Sequence, residues 1–188
     1  MEIKTETSYL EIKKYNNEQL IKECIEEIKD NLIIKPEIKI MGKICNQNRD
    51  VNFYSNDVEG YKYSGQIMKS NKLSKKLQQL LNDINKITNR DYNSILINRY
   101  NDGNNSIGAH SDNEKEIDND LVVSLSYGST RKFRIRNKQT KEIIKDILLK
   151  SLDICIMGGN FQKDYTHEIP IEKKIKDERY SFTFRKFK

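Results

Sequence analysis

Residues 96–114 read LINRYNDGNNSIGAHSDNE. The stretch begins as a strand, breaks at Asn101-Asp102-Gly103 and resumes toward His110-Ser111-Asp112. On extended backbone, residues two apart face the same way, so an imidazole nitrogen of His110 and a carboxylate oxygen of Asp112 point at one spot. They supply two of the three donors of a 2-His-1-carboxylate set, which suits iron(II) and leaves coordination positions open. The chain holds only 2 histidines, so the third donor of such a set can only be His167. Alone, His-x-Asp is a short motif; its surroundings decide how to read it.

Working outward, Ile95-Leu96-Ile97 leads into Asn98 and Tyr100, which share a strand face. Leu121 to Tyr127 and Lys132 to Arg136 read as further strands, with a polar turn at Asn137 to Thr140. Ile143 to Leu149 is apolar and fits either a strand or a short helix. Leu152 to Met157 runs as a strand into Gly158-Gly159, and His167 follows before Pro170. Arg179 to Phe187 alternates strictly: Tyr180, Phe182 and Phe184 are apolar, while Arg179, Ser181, Thr183 and Arg185 fall on the other parity. Two arginines six residues apart on one face lie roughly 20 Å apart at ~3.3 Å per residue, a spacing that long side chains can close around a small dianion. The residues alone favour a solvated outward face for this parity.

Upstream, Asn16 to Leu32 reads as an amphipathic helix, with Leu20, Cys24, Ile28 and Leu32 at i+4 steps. Leu73 to Ile87 reads as a second. Between them, Glu37 to Ile44 looks extended, and Asn46 to Gly65 (NQNRDVNFYSNDVEGYKYSG) reads as an irregular polar lid spotted with aromatics. Tyr61 and Tyr63 share a strand face; they fit packing under a loop better than a stacking platform for a base. The order of helix, lid, helix and then short strands predicts an α+β fold, mainly β, a jelly roll with N-terminal helices on one side. One domain spans 1–188, with helices and lid over about 1–92 and the jelly-roll core over 93–188.

Net charge of +6 favours a polyanionic partner, nucleic acid before anionic membrane, although Lys- and Asn-rich composition alone accounts for it equally. The N-terminus is too polar for a secretory segment, and no apolar run is long enough to span a membrane. Cys24, Cys45 and Cys155 show no zinc spacing and suit a reducing compartment. A soluble intracellular monomer is expected, nucleus or cytoplasm being unresolved.

Taken together, these residues resemble the AlkB family of iron(II)/2-oxoglutarate dioxygenases. Asn98-Arg99-Tyr100 with Gly103 resembles its N-x-Y-x-x-G strand, His110-Ser111-Asp112 its H-x-D, His167 its distal ligand, and Arg179 with Arg185 its R-x5-R strand. The motifs come in order over about the C-terminal half, with room between Asp112 and His167 for four strands. Met41-Gly42-Lys43, Arg49, Tyr54 and Tyr61-Lys62-Tyr63-Ser64-Gly65 resemble the lid of the branch that acts on alkylated bases, closest to its duplex-DNA-acting members. The resemblance implies iron(II) held by His110, Asp112 and His167, and O2 as oxidant. It implies 2-oxoglutarate held by Arg179 and Arg185, with Asn98, Tyr100 and Ser181 beside it. It implies a base pocket of Tyr61, Tyr63, Ser64 and Glu114, and nucleic-acid contacts from Met41, Lys43 and Arg49. The implied activity is oxidative demethylation of 1-methyladenine and 3-methylcytosine in DNA, single- or double-stranded, with RNA also open. Its products are formaldehyde, succinate and CO2. The alternatives are a nucleic-acid-binding module without turnover, or an oxygenase acting on protein or lipid. Ser181 stands where the family has Asn, Asn48 where it has Pro, and Ser55 where it has Gly. The turn after Arg136 is shorter than in duplex-acting relatives, with Lys138 and Lys141 as partial substitutes for their basic loop.

Overall fold

The computed structural model describes residues 1–40, 42–63 and 66–188; the side chains of Ile40, Tyr61, Lys62, Tyr63, Gln66 and Asn119 are not described. The N-terminal part runs β1 (Ile3–Lys4), β2 (Ser8–Lys14), α1 (Glu18–Ile28), β3 (Glu37–Ile40), β4 (Lys43–Asn46), β5 (Asp50–Ser55), β6 (Gly60–Tyr63), β7 (Gln66–Lys69) and α2 (Lys75–Thr88). The remainder runs β8 (Ser94–Tyr100), β9 (Ile107–His110), β10 (Ile117–Gly128), β11 (Arg131–Asn137), β12 (Ile143–Leu149), β13 (Asp153–Gly159), α3 (Phe161–Asp164), β14 (Tyr165–Ile169) and β15 (Arg179–Phe187). Among the described residues a seven-stranded sheet, β1-β2-β13-β10-β15-β8-β5, faces a four-stranded sheet, β12-β11-β14-β9, and the pairings are antiparallel. This is the jelly roll that the strand pattern predicts. The ambiguous segment 143–149 is a strand, and four strands separate Asp112 from His167.

Alternation along the strands builds two layers. Ile95 and Ile97 of β8, Val123 and Leu125 of β10, Ile154 and Ile156 of β13, and Phe182 and Phe184 of β15 pack beneath the helices. Their opposite-parity neighbours, among them Val122, Cys155 and Met157, pack toward the smaller sheet. Leu20, Cys24 and Ile28 of α1 meet Leu77, Leu80, Leu81 and Ile84 of α2 in the outer layer. Asn17 and Ser74 cap these helices, accepting from the Leu20 and Leu77 amides at 3.1 Å each. The i+4 stripe is helical only to Ile28. A 3-10 turn, Lys29–Asn31, follows, and Leu32 packs from extended backbone.

The polar lid reading of 46–65 needs correction over its middle. Strand β5 is an edge of the large sheet, buried along its whole length, with Phe53 at 0% exposure. Its polar residues are satisfied at long range: Asn52 donates to the Asn31 carbonyl and the Ser55 hydroxyl to the Asn93 carbonyl. The rest of the segment joins β3 and β4 in two two-stranded ribbons, β3–β4 and β6–β7. Among the described residues no helix is long and apolar enough to cross a membrane.

Candidate metal and cosubstrate site

His110 ends β9 and pairs in register with His167 of β14, which sets the two imidazoles side by side with ring centres 4.3 Å apart. Asp112 lies two residues beyond His110 on irregular chain. Its amide is held by the Gln162 side chain at 2.9 Å, and the Ser111 hydroxyl donates to the Tyr165 carbonyl at 3.0 Å. One donor atom from each of His110, Asp112 and His167 lies within 4.8 Å of the others. Asp112 Oδ2 is 3.6 Å from His167 Nε2.

Electrostatics set these groups in the states that metal binding requires. Burial lowers the His110 imidazole below its ordinary value despite the Asp112 charge beside it. Burial, and then the neighbouring His110, lower His167 to about 3. Burial would raise the Asp112 carboxyl, but the Arg185 charge and the two histidines outweigh it and hold it low. The result at neutral pH is two neutral imidazoles and one carboxylate. His110 Nδ1–H donates to the Gly108 carbonyl at 2.9 Å, which turns Nε2 toward the centre. Phe133 stacks on His167 at 5.1 Å and fixes its plane.

The polar parity of β15 faces inward, not outward as the residues alone suggest. Arg179, Ser181, Thr183 and Arg185 all line the cavity that contains His110, Asp112 and His167. Registry places Tyr100 opposite Arg179 and Asn98 opposite Ser181, so β8 presents its two predicted residues beside those of β15. Arg185 donates through Nη2 to Asp112 Oδ1, tying one arginine to the metal-ligand carboxylate. Arg179 is 1% exposed and donates through Nη2 to the Ser126 hydroxyl at 2.8 Å. Its Nε and Nη1 have no hydrogen-bond partner among the described residues. Buried donors of this kind fit an anionic group bound in the cavity. Two neutral imidazoles with a carboxylate fit a divalent first-row metal.

Several predicted residues stand elsewhere. Arg49 is 4% exposed, and its Nε donates to Asn98 Oδ1 at 2.7 Å within the cavity. Arg49, expected near a phosphate, is thus carried inward beside β8. Lys138 donates to the Gln162 carbonyl at 2.9 Å rather than standing out as a basic loop. Ser181 shares a hydrogen bond with Ser124 at 2.9 Å. Glu114 is half-buried and is not among the cavity-lining residues. Lys43 is exposed on β4. Met41 and Ser64 lie outside the described residues, and so do the side chains of Tyr61 and Tyr63. Gln47, Ser126, Phe133, Met157 and Gln162 belong to the site and were not anticipated. Phe133 was within reach, since its strand parity is that of Ile135, a core position.

The profile of the 2OG-Fe(II) oxygenase superfamily matches residues 8–185. "DNA oxidative demethylase ALKBH2" of Mus musculus is 25% identical over 182 residues, covering 92% of this chain and 76% of the relative. The Bos taurus protein of the same name is 27% identical over 158 residues, and the chain spans only 56% of its length. "Alpha-ketoglutarate-dependent dioxygenase alkB homolog 3" of Homo sapiens is 34% identical over 118 residues, covering 58% of this chain and 41% of the relative. A solved structure, "The structure of OsALKBH1", superposes with a TM-score of 0.66 at 15% identity, covering 98% of this chain and 100% of that one. Membership implies iron(II), 2-oxoglutarate and O2 as the working set. The chain belongs to the 2OG-Fe(II) oxygenase superfamily, in its AlkB family.

Proposed function

We propose that this protein is an oxidative demethylase of N-alkylated bases in nucleic acid, with DNA as its first substrate. The observation that carries the reading is the convergence of His110, Asp112 and His167 in one cavity with the two buried arginines of β15. His110, Asp112 and His167 hold iron(II). Arg179 and Arg185 grip the two carboxylates of 2-oxoglutarate, with Arg185 at the metal end because it is tied to Asp112. Asn98, Tyr100 and Ser181 bond the cosubstrate from beside them. With O2, the bound iron and cosubstrate supply the oxidation that hydroxylates an N-methyl group, which leaves as formaldehyde beside succinate and CO2.

The protein positions the methyl group and excludes water. Methylation at N1 of adenine or N3 of cytosine leaves a cationic base that cannot pair normally, which lowers the cost of flipping it. Glu114 favours that cation, and Tyr61, Tyr63 and Ser64 form the base pocket, with Tyr63 stacking on the flipped base. Met41 fills the vacated stack and Lys43 neutralises a phosphate. The short turn after Arg136 removes the ground for a duplex preference, so single-stranded DNA and RNA stand level with duplex DNA as substrates. Residues 1–188 act as one domain and as a monomer.

The test is anaerobic reconstitution with iron(II) and 2-oxoglutarate, followed by O2 and matched single- and double-stranded oligonucleotides carrying one 1-methyladenine or 3-methylcytosine. Loss of the methyl group is expected, and the ratio of turnover between strand states reads whether the short turn after Arg136 matters. Slow succinate formation with every oligonucleotide intact would overturn the substrate assignment.

A further inference from the structure

Arg131 opens β11 and is 0% exposed, yet it does not line the cavity. Its guanidinium is spent on backbone and one carboxylate. Nη1 donates to the Asp102 carbonyl at 3.0 Å, Nη2 to the Asn105 and Pro170 carbonyls at 2.8 Å each, and Nε to Glu172 Oε2 at 3.3 Å. These acceptors lie on two connectors. Residues 101–106 lead from Tyr100 to the strand of His110; residues 170–178 lead from the strand of His167 to Arg179.

The connectors are joined directly at Gly103. Its amide donates to the Ile175 carbonyl at 2.9 Å, and its own carbonyl accepts from Glu172 at 2.7 Å. A Cβ at this position would come within 1.9 Å of the Glu172 carbonyl oxygen, so the joint requires glycine. Above the joint, the Arg131 guanidinium carbon lies 5.7 Å from the centre of the Tyr100 ring, and that of Arg179 lies 5.3 Å from the same ring. Tyr100 is therefore shared by two arginines: Arg131, whose hydrogen bonds all go to the scaffold, and Arg179, which lines the cavity and has two donors without a partner among the described residues.

We propose that Arg131 is a positioning residue: by knotting the two connectors beneath Tyr100 it fixes the ring against Arg179 and so sets the geometry of the cosubstrate subsite. A buried charge is a costly way to join two loops where apolar packing would serve. A planar fork that grips carbonyls from both connectors at once is something only arginine offers. The proposal rests on the reading of Tyr100 and Arg179 as cosubstrate residues, and the experiment separates the two.

Iron(II)-loaded protein is titrated anaerobically with 2-oxoglutarate, and iron(II) affinity is measured separately. Arg179→Met tests the underlying reading; unchanged 2-oxoglutarate affinity there sinks it and the present proposal with it. With that arm positive, Arg131→Met should raise the 2-oxoglutarate dissociation constant about tenfold, as expected when buried carbonyls lose their donors. Iron(II) affinity should move less than about twofold, a small fraction of what a disturbed ligand shell costs. Added methylguanidinium should restore part of the lost affinity. Equal weakening of metal and cosubstrate, or no weakening of either, overturns the proposal and leaves Arg131 a structural arginine. Should Arg131→Met not fold, Glu172→Gln, at the half-exposed end of the same knot, must weaken 2-oxoglutarate alone; no change in that variant overturns the proposal equally.

Discussion

The floor of the cavity and its rim are built by opposite means. The floor is β8 and β15, paired along their length and buried except at Arg99 and Lys186, together with Asp112 and the β9 and β14 histidines that share their cavity. The rim is the β6–β7 ribbon, whose Met68 lines the cavity, with the β3–β4 ribbon against β7; the two carry Ile44 at 67% and Ile67 at 71% exposure. In the floor, Arg179 and Ser181 are held by Ser126 and Ser124 of β10, Asn98 by Arg49, and Arg185 by Asp112. At the rim, the ribbons turn Ile38 and Met68 inward and leave Ile44 and Ile67 outside, and two-stranded elements gain stability only by packing on something else. The difference bears on the proposed function: the metal and cosubstrate residues stand in the buried floor, and Lys43, proposed to meet the substrate strand, stands on an exposed ribbon.

The largest expected effect lies in the floor. Asp112→Ala removes the carboxylate ligand and the anion that Arg185 grips. It should abolish both iron(II) retention by equilibrium dialysis and turnover, while a rim variant keeps both. Retained turnover in Asp112→Ala would end the comparison, since the floor would then not carry the chemistry. Next, Arg179→Met should weaken 2-oxoglutarate by roughly 10–100-fold, the loss of one to two charge-assisted hydrogen bonds. Ser126→Ala, which removes the hydroxyl holding Arg179 Nη2, should follow in the same direction by only a few fold, since a single neutral anchor contributes ~1 kcal/mol. Calorimetric titration of the metal-loaded protein reads both.

Much of the floor was legible in the sequence because its signals are local. Strict alternation in 179–187 and 95–100 identifies both strands, and the two histidines leave one choice of third ligand. What stayed hidden depends on partners far along the chain. Strand β2 carries charged Glu11, Lys13 and Lys14, and only its pairing with β13 makes it part of the large sheet. Strand β5 looks like a polar lid because nothing in DVNFYS announces that Asn31, Asn71 and Asn93 will satisfy its polar groups. The parity rule fixed which residues of β15 share a face, yet not whether that face meets solvent or a second sheet. Arg49 shows the same limit: nothing in its loop-like stretch announces that its Nε donates to Asn98 inside the cavity.

The histidines of the floor also give the metal-free protein a pH dependence that the rim should lack. His167 is lowered from an ordinary 6.5 to about 3, and His110 moves the same way. Between those values the unfolded chain binds protons that the folded chain refuses, so stability falls as pH drops through that window. Asp112, held low, adds its own loss only further down, once its folded-state carboxyl protonates. Thermal unfolding of apo protein between pH 7 and 4 should show a steady decline in Tm, flattened in His167→Gln. A decline of the same slope in that variant would move the acid sensitivity out of the site.

The smallest effect belongs to the rim, and it tests the comparison most finely. Lys43 is exposed on β4, away from the cavity walls. If the rim holds the nucleic-acid strand, Lys43→Ala should weaken binding of every oligonucleotide alike, methylated or not, by a few fold. It should also reduce the slope of log affinity against log salt by about one contact. Neither 2-oxoglutarate affinity nor succinate formation without nucleic acid should change, because no floor residue is touched. A variant that lowered cosubstrate affinity through Lys43 would mean that ribbon and floor move as one body. Substrate choice and chemistry would then be coupled through the β5 edge, where the ribbons join the large sheet, rather than divided between rim and floor.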